Sequence, residues 1–381
     1  MNRNAIPLGR ILGVPIGLDY SWFLIFGLVT WSLASSYFPA EFADWPVAQY
    51  WIVGAITALL MFASVVLHEL GHAVVAQFYK IPVRSITLFI FGGVARISAE
   101  PPSATAEFFI ALAGPATSMA LAVLFGLLQP LAGAFEPLLA VFRYLAYINA
   151  SVAIFNLIPG FPLDGGRVFR AIVWAASHNL RQATLIAAYL GRAIAYLLIA
   201  FGVWQLFVGQ FGTGLWIAFV GWFLENAASA QIQQQTLHDL LSGHRVADVM
   251  RRDYVAVSPG SNLEQVMTEH FLTSGRRSLV VEREKKVVGL LTAQAARKIP
   301  RMAWPTTTVT EAMIPTDLMK RIRPDAKLVD ALLAMDRDGV CQLPVMVGDT
   351  MQGLLGRDDV IGLLGTLGEF GPTAVATHSV R

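Results

Sequence analysis

The sequence predicts a polytopic α-helical membrane protein with about six transmembrane helices and a short membrane-associated β segment, followed by a soluble α+β domain. Of its 381 residues, 55% are hydrophobic and 14% are charged, whereas about 25% of residues are charged in soluble proteins. Long stretches before Gln231 hold few charges, while residues 238–359 have the composition of an ordinary soluble domain. We therefore expect a transmembrane domain over residues 1–235, a soluble domain over 236–366 and a flexible tail over 367–381.

Six apolar segments are long enough to cross about 30 Å of hydrocarbon as helices. They lie at residues 20–37, 51–78, 107–128, 138–157, 183–208 and 213–230. Lys and Arg are concentrated before the first segment and after the second, fourth and sixth, while the alternate loops are poor in them. By the positive-inside rule, both termini are expected at the cytoplasmic face of the plasma membrane. Glu107, at the start of the third segment, is interpreted as a charge at headgroup level, with a place along a substrate path as the alternative.

Residues 81–97 interrupt the helical pattern. They are rich in β-branched and aromatic residues and contain Gly92-Gly93, which predicts extended strands with a tight turn. Beside a membrane the backbone edges of such strands need a partner. An exposed edge could pair with an extended peptide, and a purely structural hairpin is an equal alternative.

The most informative motif is His68-Glu69-Leu70-Gly71-His72, within the second apolar segment. Ionisable side chains are costly in hydrocarbon, so a cluster at this depth indicates a functional site. The spacing places both imidazoles on one helical face, one turn apart, where they can bind one Zn²⁺. Glu69 then lies beside the metal, placed to act as a general base. The alternative is a His pair that only forms hydrogen bonds inside a helical bundle and binds no metal. That alternative leaves the free-energy cost of burying the two imidazoles unexplained.

A catalytic zinc site commonly has three protein ligands and one open position. The other His residues lie outside the apolar segments, and Asp164 is the better candidate. It ends the run Asn-Leu-Ile-Pro-Gly-Phe-Pro-Leu-Asp that starts at Asn156, where Pro and Gly break the helix. Irregular backbone at membrane depth is tolerated where it lines a cavity. Asp164 is alternatively a helix cap, and the Asn156 amide is a candidate to hold substrate or the developing oxyanion.

Net charge and cysteine content bear on two further questions, nucleic acid binding and cysteine-based sites. A net charge of +2 gives no reason to expect a nucleic acid partner. The single Cys, Cys341, excludes intrachain disulfides and thiolate zinc clusters.

The soluble region contains an internal repeat. Residues 246–250 (VADVM) match 309–313 (VTEAM), and residues 288–291 (VGLL) match 352–355 (QGLL), with a period of about 63–65 residues. Each copy, over about 244–300 and 307–366, is predicted to form a strand, a helix, two strands and a helix.

The two motifs of the membrane region resemble those of the site-2 protease family of intramembrane zinc metalloproteases, in its prokaryotic six-span branch. That resemblance implies that His68, His72 and Asp164 bind zinc and that Glu69 is catalytic. It also implies a substrate that is a transmembrane protein, cleaved within the lipid bilayer. Residues 91–94 (FGGV) and 113–115 (AGP) are similar to further family motifs.

The repeat resembles a tandem pair of cystathionine-β-synthase-type (CBS) domains, which implies an adenine nucleotide as ligand and a homodimer through this region. The family pattern has a hydroxyl residue followed three residues later by an Asp. The first copy offers Thr292 without the Asp, and the second offers Asp359 without the hydroxyl residue. Nucleotide binding and a purely dimerising or docking role are therefore both kept open.

Three functions remain after these observations. The leading hypothesis is an intramembrane zinc protease modulated by cytoplasmic CBS domains. The alternatives are a CBS-regulated metal or solute transporter and an inactive, protease-like binding protein. Glu69 favours proteolysis, because a transporter does not need a carboxylate at the general-base position.

Overall fold

The computed structural model describes residues 5–90, 92–97, 100–284, 286–348 and 350–370. Phe91 of the predicted glycine motif and residues 371–381 of the predicted tail lie outside the described residues. The chain divides after Gln235 into two compact units.

Long helices dominate the first unit. They are α1 (Ser21–Ser32), α2 (Phe38–Glu41), α3 (Val47–Phe78), α4 (Ala104–Leu128), α5 (Glu136–Asn156), α6 (Asp164–Ser177) and α7 (Leu180–Phe207). The next helix, α8 (Phe211–Ser242), begins in the first unit and continues past Gln235. A π-helical stretch, Leu33–Tyr37, joins α1 to α2 into one continuous segment.

Five segments among the described residues are long and apolar enough to cross a membrane: Ser21–Glu41, Val47–Phe78, Ala104–Ala132, Glu136–Asn156 and Leu180–Phe207. They correspond to the first five predicted spans. The sixth predicted span, residues 213–230, lies in α8 and is not among them. Glu225 and Asn226 interrupt its apolar run, so the first half of α8 is too short to reach the same hydropathy.

A four-stranded sheet lies beside the helices of the first unit. Its strands are β1 (Ala5–Ile11), β2 (Val14–Asp19), β3 (Val83–Phe89) and β4 (Gly92–Ile97), in that order. The β2–β3 pair is parallel and the other two pairs are antiparallel. The strands expected within residues 81–97 are thus β3 and β4, while β1 and β2 were not predicted.

The sheet packs against the half of α3 that carries the His motif. Val14 and Ile86 contact Leu70 and Ala73 of α3. This packing explains the apolar alternation along β2 and β3, and it brings the start of β4 beside Glu69.

Asp19 joins the sheet to the start of α1. Its carboxylate accepts hydrogen bonds from the Ser21 amide at 3.0 Å and the Ser21 hydroxyl at 2.7 Å. The same hydroxyl oxygen accepts from the Ile90 amide at 3.2 Å, in the turn between β3 and β4. The two bonds from Ser21 lower the pKa of Asp19 from its usual value.

The second unit contains two similar sheets. One is formed by β5 (Ala256–Val257), β6 (Ser278–Arg283), β7 (Lys286–Thr292) and β8 (Ile314–Pro315), and the other is built around β9 (Gln342–Val347) and β10 (Thr350–Gly356). The helices are α9 (Val246–Val249), α10 (Leu263–Val266), α11 (Ala293–Ala296), α12 (Val309–Ala312), α13 (Leu328–Asp338) and α14 (Arg357–Phe370).

The two repeat copies exchange their first extended residues. Ile314, just after the second copy's VTEAM, pairs with Leu290 of the first copy, and Arg251, just after VADVM, pairs with Leu354 of the second. The repeated glycines Gly289 and Gly353 permit this approach. A Cβ on Gly289 would lie 2.8 Å from the Ile314 carbonyl oxygen, and one on Gly353 would lie 2.6 Å from that of Arg251. Each copy therefore completes its sheet with residues of the other.

Candidate metal centre

Close contact between α3 and α4 buries the two predicted His ligands. His68 and His72 are each 5% exposed. Gly71 and Gly114 lie at the contact: a Cβ on Gly71 would come within 2.9 Å of the Ala113 carbonyl oxygen, and one on Gly114 would collide with the His72 ring. The small residues of HELGH and AGP therefore let α4 approach the imidazoles.

Asp164 lies against both imidazoles. Its Oδ2 is 3.2 Å from Nε2 of His68 and 3.2 Å from Nε2 of His72, and the two ring nitrogens are 3.3 Å apart. Ligands of a tetrahedral zinc site with bonds of about 2.0–2.2 Å are separated by about 3.3–3.6 Å. The three side chains brought together here match that spacing and supply two nitrogens and one carboxylate oxygen. The donor set therefore fits Zn²⁺.

Both rings are held from behind by residues of α4. Nδ1 of His72 lies 2.6 Å from the Ile110 carbonyl oxygen, and Nδ1 of His68 lies 2.8 Å from the Ser118 hydroxyl. A proton on each Nδ1 leaves the Nε2 lone pair directed at Asp164, as metal-binding His residues require. Sequence reasoning missed both partners. Ser118 was detectable as a polar residue within an apolar segment, whereas a backbone carbonyl leaves no sequence signal.

The break between α5 and α6 places Asp164. Residues 157–163 are not helical, and Asp164 is the first residue of α6, preceded by Leu163 at the cap position. The Phe161–Pro162 peptide bond is cis. Gly165 and Gly166 pack on the backbone of residues 157–161 so closely that a Cβ on either would collide with it. The Gly pair of the predicted motif therefore folds the segment back onto the start of α6.

A cavity of about 630 Å³ opens beside the cluster of His68, His72 and Asp164. Its lining includes His68, Asp164, Glu69 and the predicted amide donor Asn156. Gly93 of β4 also lines it, and a Cβ there would be 2.6 Å from Glu69 Cγ. The general-base candidate, the amide and a strand edge thus face one space. Trp216, Phe219, Val220, Phe223 and Leu224 of α8 supply an apolar wall.

Asn149 is a second amide in the cavity that the sequence reasoning did not identify. It is 3% exposed and lies two turns before Asn156 on α5. Its Nδ2 donates to the Leu145 carbonyl at 2.8 Å and to the Ser64 hydroxyl at 3.3 Å. The seven-residue spacing of two Asn residues in an apolar helix was the available signal.

The two nucleotide candidates lie apart. Thr292 caps α11 by accepting a hydrogen bond from the Ala295 amide at 3.1 Å, and it lines a cavity of about 710 Å³. Asp359 lines a separate cavity of only about 70 Å³, pairs with Arg251 and accepts from the Gly356 amide at 2.8 Å. The carboxylate of Asp359 is therefore engaged by the protein itself.

Known proteins share both regions of this chain. Residues 56–134 and 132–199 match the model of peptidase family M50. Rip3 of Mycobacterium tuberculosis is 36% identical over 367 residues, which cover 95% of this chain and 93% of Rip3. The protein sll0528 of Synechocystis sp. is 34% identical over 376 residues, with 96% and 97% covered. The names of both relatives describe a zinc metalloprotease.

The chain belongs to peptidase family M50. Its membership confirms the resemblance to site-2 proteases and the predicted enzyme class, a metalloprotease, and it favours a protease over a transporter. A solved site-2 protease from Methanocaldococcus jannaschii is 29% identical to this M50 protease, with 60% of this chain and 94% of that chain covered and a TM-score of 0.42. Residues 246–301 match the CBS domain model, which confirms the resemblance to CBS domains.

Proposed function

We propose that this M50 protease is an intramembrane enzyme that hydrolyses peptide bonds within the transmembrane segments of substrate proteins. The observation that carries the proposal is the cluster of His68, His72 and Asp164, whose ligand atoms lie within 4.8 Å of one another. The cluster lies on a cavity that Glu69 shares. The His residues belong to a helix of 32 residues that is apolar enough to cross a membrane. Six spans, with both termini and the second unit on the cytoplasmic side of the plasma membrane, complete the proposal.

The residues divide the chemistry among them. His68, His72 and Asp164 would hold Zn²⁺, which when bound polarises the scissile carbonyl and acidifies a water molecule. A water molecule attacks the carbonyl carbon while Glu69 accepts a proton from that water. Glu69 then passes the proton to the leaving amine. Asn156 donates its amide hydrogens to the substrate peptide or to the oxyanion that develops.

The substrate must be unwound before Glu69 can act. An intact helix pairs its peptide groups internally, and its side chains cover the carbonyl carbons. The start of β4 beside Glu69 supports a route by which an extended peptide pairs with the edge of this strand. Gly92 and Gly93 leave room for that peptide, because neither carries a side chain. Release of the cleaved segment towards the cytoplasm would make the enzyme a participant in regulated intramembrane proteolysis.

The second unit is proposed to modulate the protease through an adenine nucleotide and to dimerise. The cavity of about 710 Å³ that contains Thr292 supports a nucleotide there, because Arg297 and Lys320 line it and can neutralise phosphates. The cavity at Asp359, which three Arg–Asp ion pairs line, is too small for such a ligand.

The test uses the full chain in detergent with a purified single-span substrate. Glu69→Gln should abolish cleavage while the protein still binds one Zn²⁺. Glu41→Gln is the matched control, because that carboxylate pairs with Arg143 and does not line the cavity. Cleavage by Glu69→Gln at the wild-type rate would overturn the mechanism. Wild-type protein that binds zinc and retains the substrate uncut would instead indicate an inactive binding protein.

A further inference from the structure

Glu107 is a completely buried carboxylate to which the mechanism assigns no role. It lies in the first turn of α4 and is 0% exposed, so its charge faces the protein and not solvent or lipid. Two guanidinium groups of α6 approach it. Arg170 donates from Nε at 2.7 Å and also from Nη2, and Nε of Arg167 lies 3.9 Å away. One buried carboxylate thus lies between two partly buried guanidinium groups.

Ionic contacts of this kind between two helices cost free energy. The cost of desolvating buried charges can exceed their attraction, so apolar residues would often stabilise the contact equally well. The Oε2 atom of Glu107 has no hydrogen-bond partner among the described residues, which adds to that cost. The pair must therefore supply something that apolar packing does not, such as a fixed register between α4 and α6.

That register is the one the metal site depends on. Asp164 begins α6, and Arg167 and Arg170 follow it at three and six residues, on neighbouring turns of the same face. Glu107 lies one turn before Ile110, whose carbonyl holds His72. The contact between Glu107 and the two Arg residues therefore joins the helix that carries the third ligand to the helix that orients both imidazoles.

Two further contacts extend the network towards the site. The Arg170 guanidinium lies 5.3 Å from the centre of the Phe161 ring, in the broken segment that precedes Asp164. Arg167 is close enough to Asp164 and Glu69 to interact with both electrostatically. The charges thus alternate from Arg170 to Glu107, to Arg167 and to the two carboxylates of the site.

We propose that Glu107 is a positioning residue of the metal centre. Its carboxylate holds Arg170 and Arg167, and thereby sets the start of α6 at the distance from α4 at which Asp164 meets both His rings. The inference rests on the zinc site proposed above.

The test measures zinc affinity directly, by competition of the full-length protein in detergent with a chromogenic chelator. Glu107→Gln should weaken zinc binding by about 10–100-fold, the usual effect of losing a residue that orients a ligand. At saturating zinc, kcat on the single-span substrate should fall while KM stays unchanged, because the substrate contacts are intact. Glu41→Gln, which also breaks a carboxylate–Arg pair, should change neither quantity.

A double variant separates positioning from simple stabilisation. Glu107→Gln removes the negative charge between two partly buried guanidinium groups and is expected to lower the unfolding temperature. Glu107→Gln with Arg170→Met removes one cation as well and should recover that temperature, but zinc affinity should stay low because α6 is no longer held. Recovery of both quantities, or wild-type zinc affinity in the folded single variant, would overturn the proposal. Glu69→Gln tests the protease mechanism independently, since it should lose cleavage at unchanged zinc affinity.

Discussion

Gly93 of β4 lies against Glu69 of α3, so that a Cβ added at Gly93 would be 2.6 Å from Glu69 Cγ and 3.2 Å from its Oε1. The strand edge proposed to hold the peptide and the carboxylate proposed to activate water are therefore in contact. A residue with any side chain at position 93 has to displace one of them.

We predict that Gly93→Ala lowers kcat/KM by about 100-fold without loss of zinc, because a catalytic group misplaced by about 1 Å can cost that much. The measurement is steady-state cleavage of the single-span substrate together with the zinc content of the purified protein. Gly126→Ala is the control, since a Cβ there meets nothing within 4 Å. An unchanged rate in Gly93→Ala would show that Glu69 does not depend on this contact.

Ser118 provides a second test of the metal site. Its hydroxyl lies 2.8 Å from Nδ1 of His68, so Ser118→Ala should weaken zinc binding by about 10–100-fold. Chelator competition measures the effect. Ser151→Ala is a suitable control, because that hydroxyl donates to the Tyr147 carbonyl of its own helix at 2.9 Å. Equal zinc affinity in both variants would contradict a role for Ser118 in orienting the ring.

The motif and its third partner were predictable because they need only local geometry. His68 and His72 share a face at any four-residue spacing in a helix, and Asp164 follows a segment that Pro and Gly prevent from being helical. Tertiary partners were less accessible. Ile110 acts through its backbone carbonyl, which leaves no signal in the sequence. From the sequence, Glu107 resembles a charge at the membrane surface, because no local pattern shows that Arg residues of α6 lie beside it.

The β segment shows the same division. The composition of residues 81–97 predicts strands. The sequences of β1 and β2 contain Gly and Pro, and these two segments are extended because they pair with each other. The parallel pairing of β2 with β3 joins segments about 70 residues apart. Neither β1 nor β2 could be recognised alone, since the apolar face of β2 is defined by the surface of α3 that it covers.

The CBS region should bind an adenine nucleotide in the cavity of about 710 Å³, the larger of the two described above. Arg297 lines that cavity, and Asp359 lines the smaller one. We predict that a saturating nucleotide raises the unfolding temperature of this unit in wild type and in Asp359→Asn, but much less in Arg297→Ala. At 100 times the dissociation constant, binding stabilises a folded domain by about 2.7 kcal/mol. Thermal unfolding of the full chain with AMP and ATP measures the shift. Loss of the shift in Asp359→Asn alone would place the ligand in the other cavity.

The exchange of strands between the repeat copies predicts a steric effect at Gly289. A Cβ there would lie 2.8 Å from the Ile314 carbonyl oxygen, a backbone atom that cannot rotate away. Gly289→Ala should therefore destabilise the second unit by about 1–3 kcal/mol, as overpacking does. Gly362→Ala in α14 should have the opposite sign, because its Cβ meets nothing within 4 Å and Ala is favoured over Gly within a helix by about 1 kcal/mol. Denaturant unfolding of the two variants measures both effects. If Gly289→Ala were as stable as wild type, the first copy would not depend on the residues that follow VTEAM to complete its sheet.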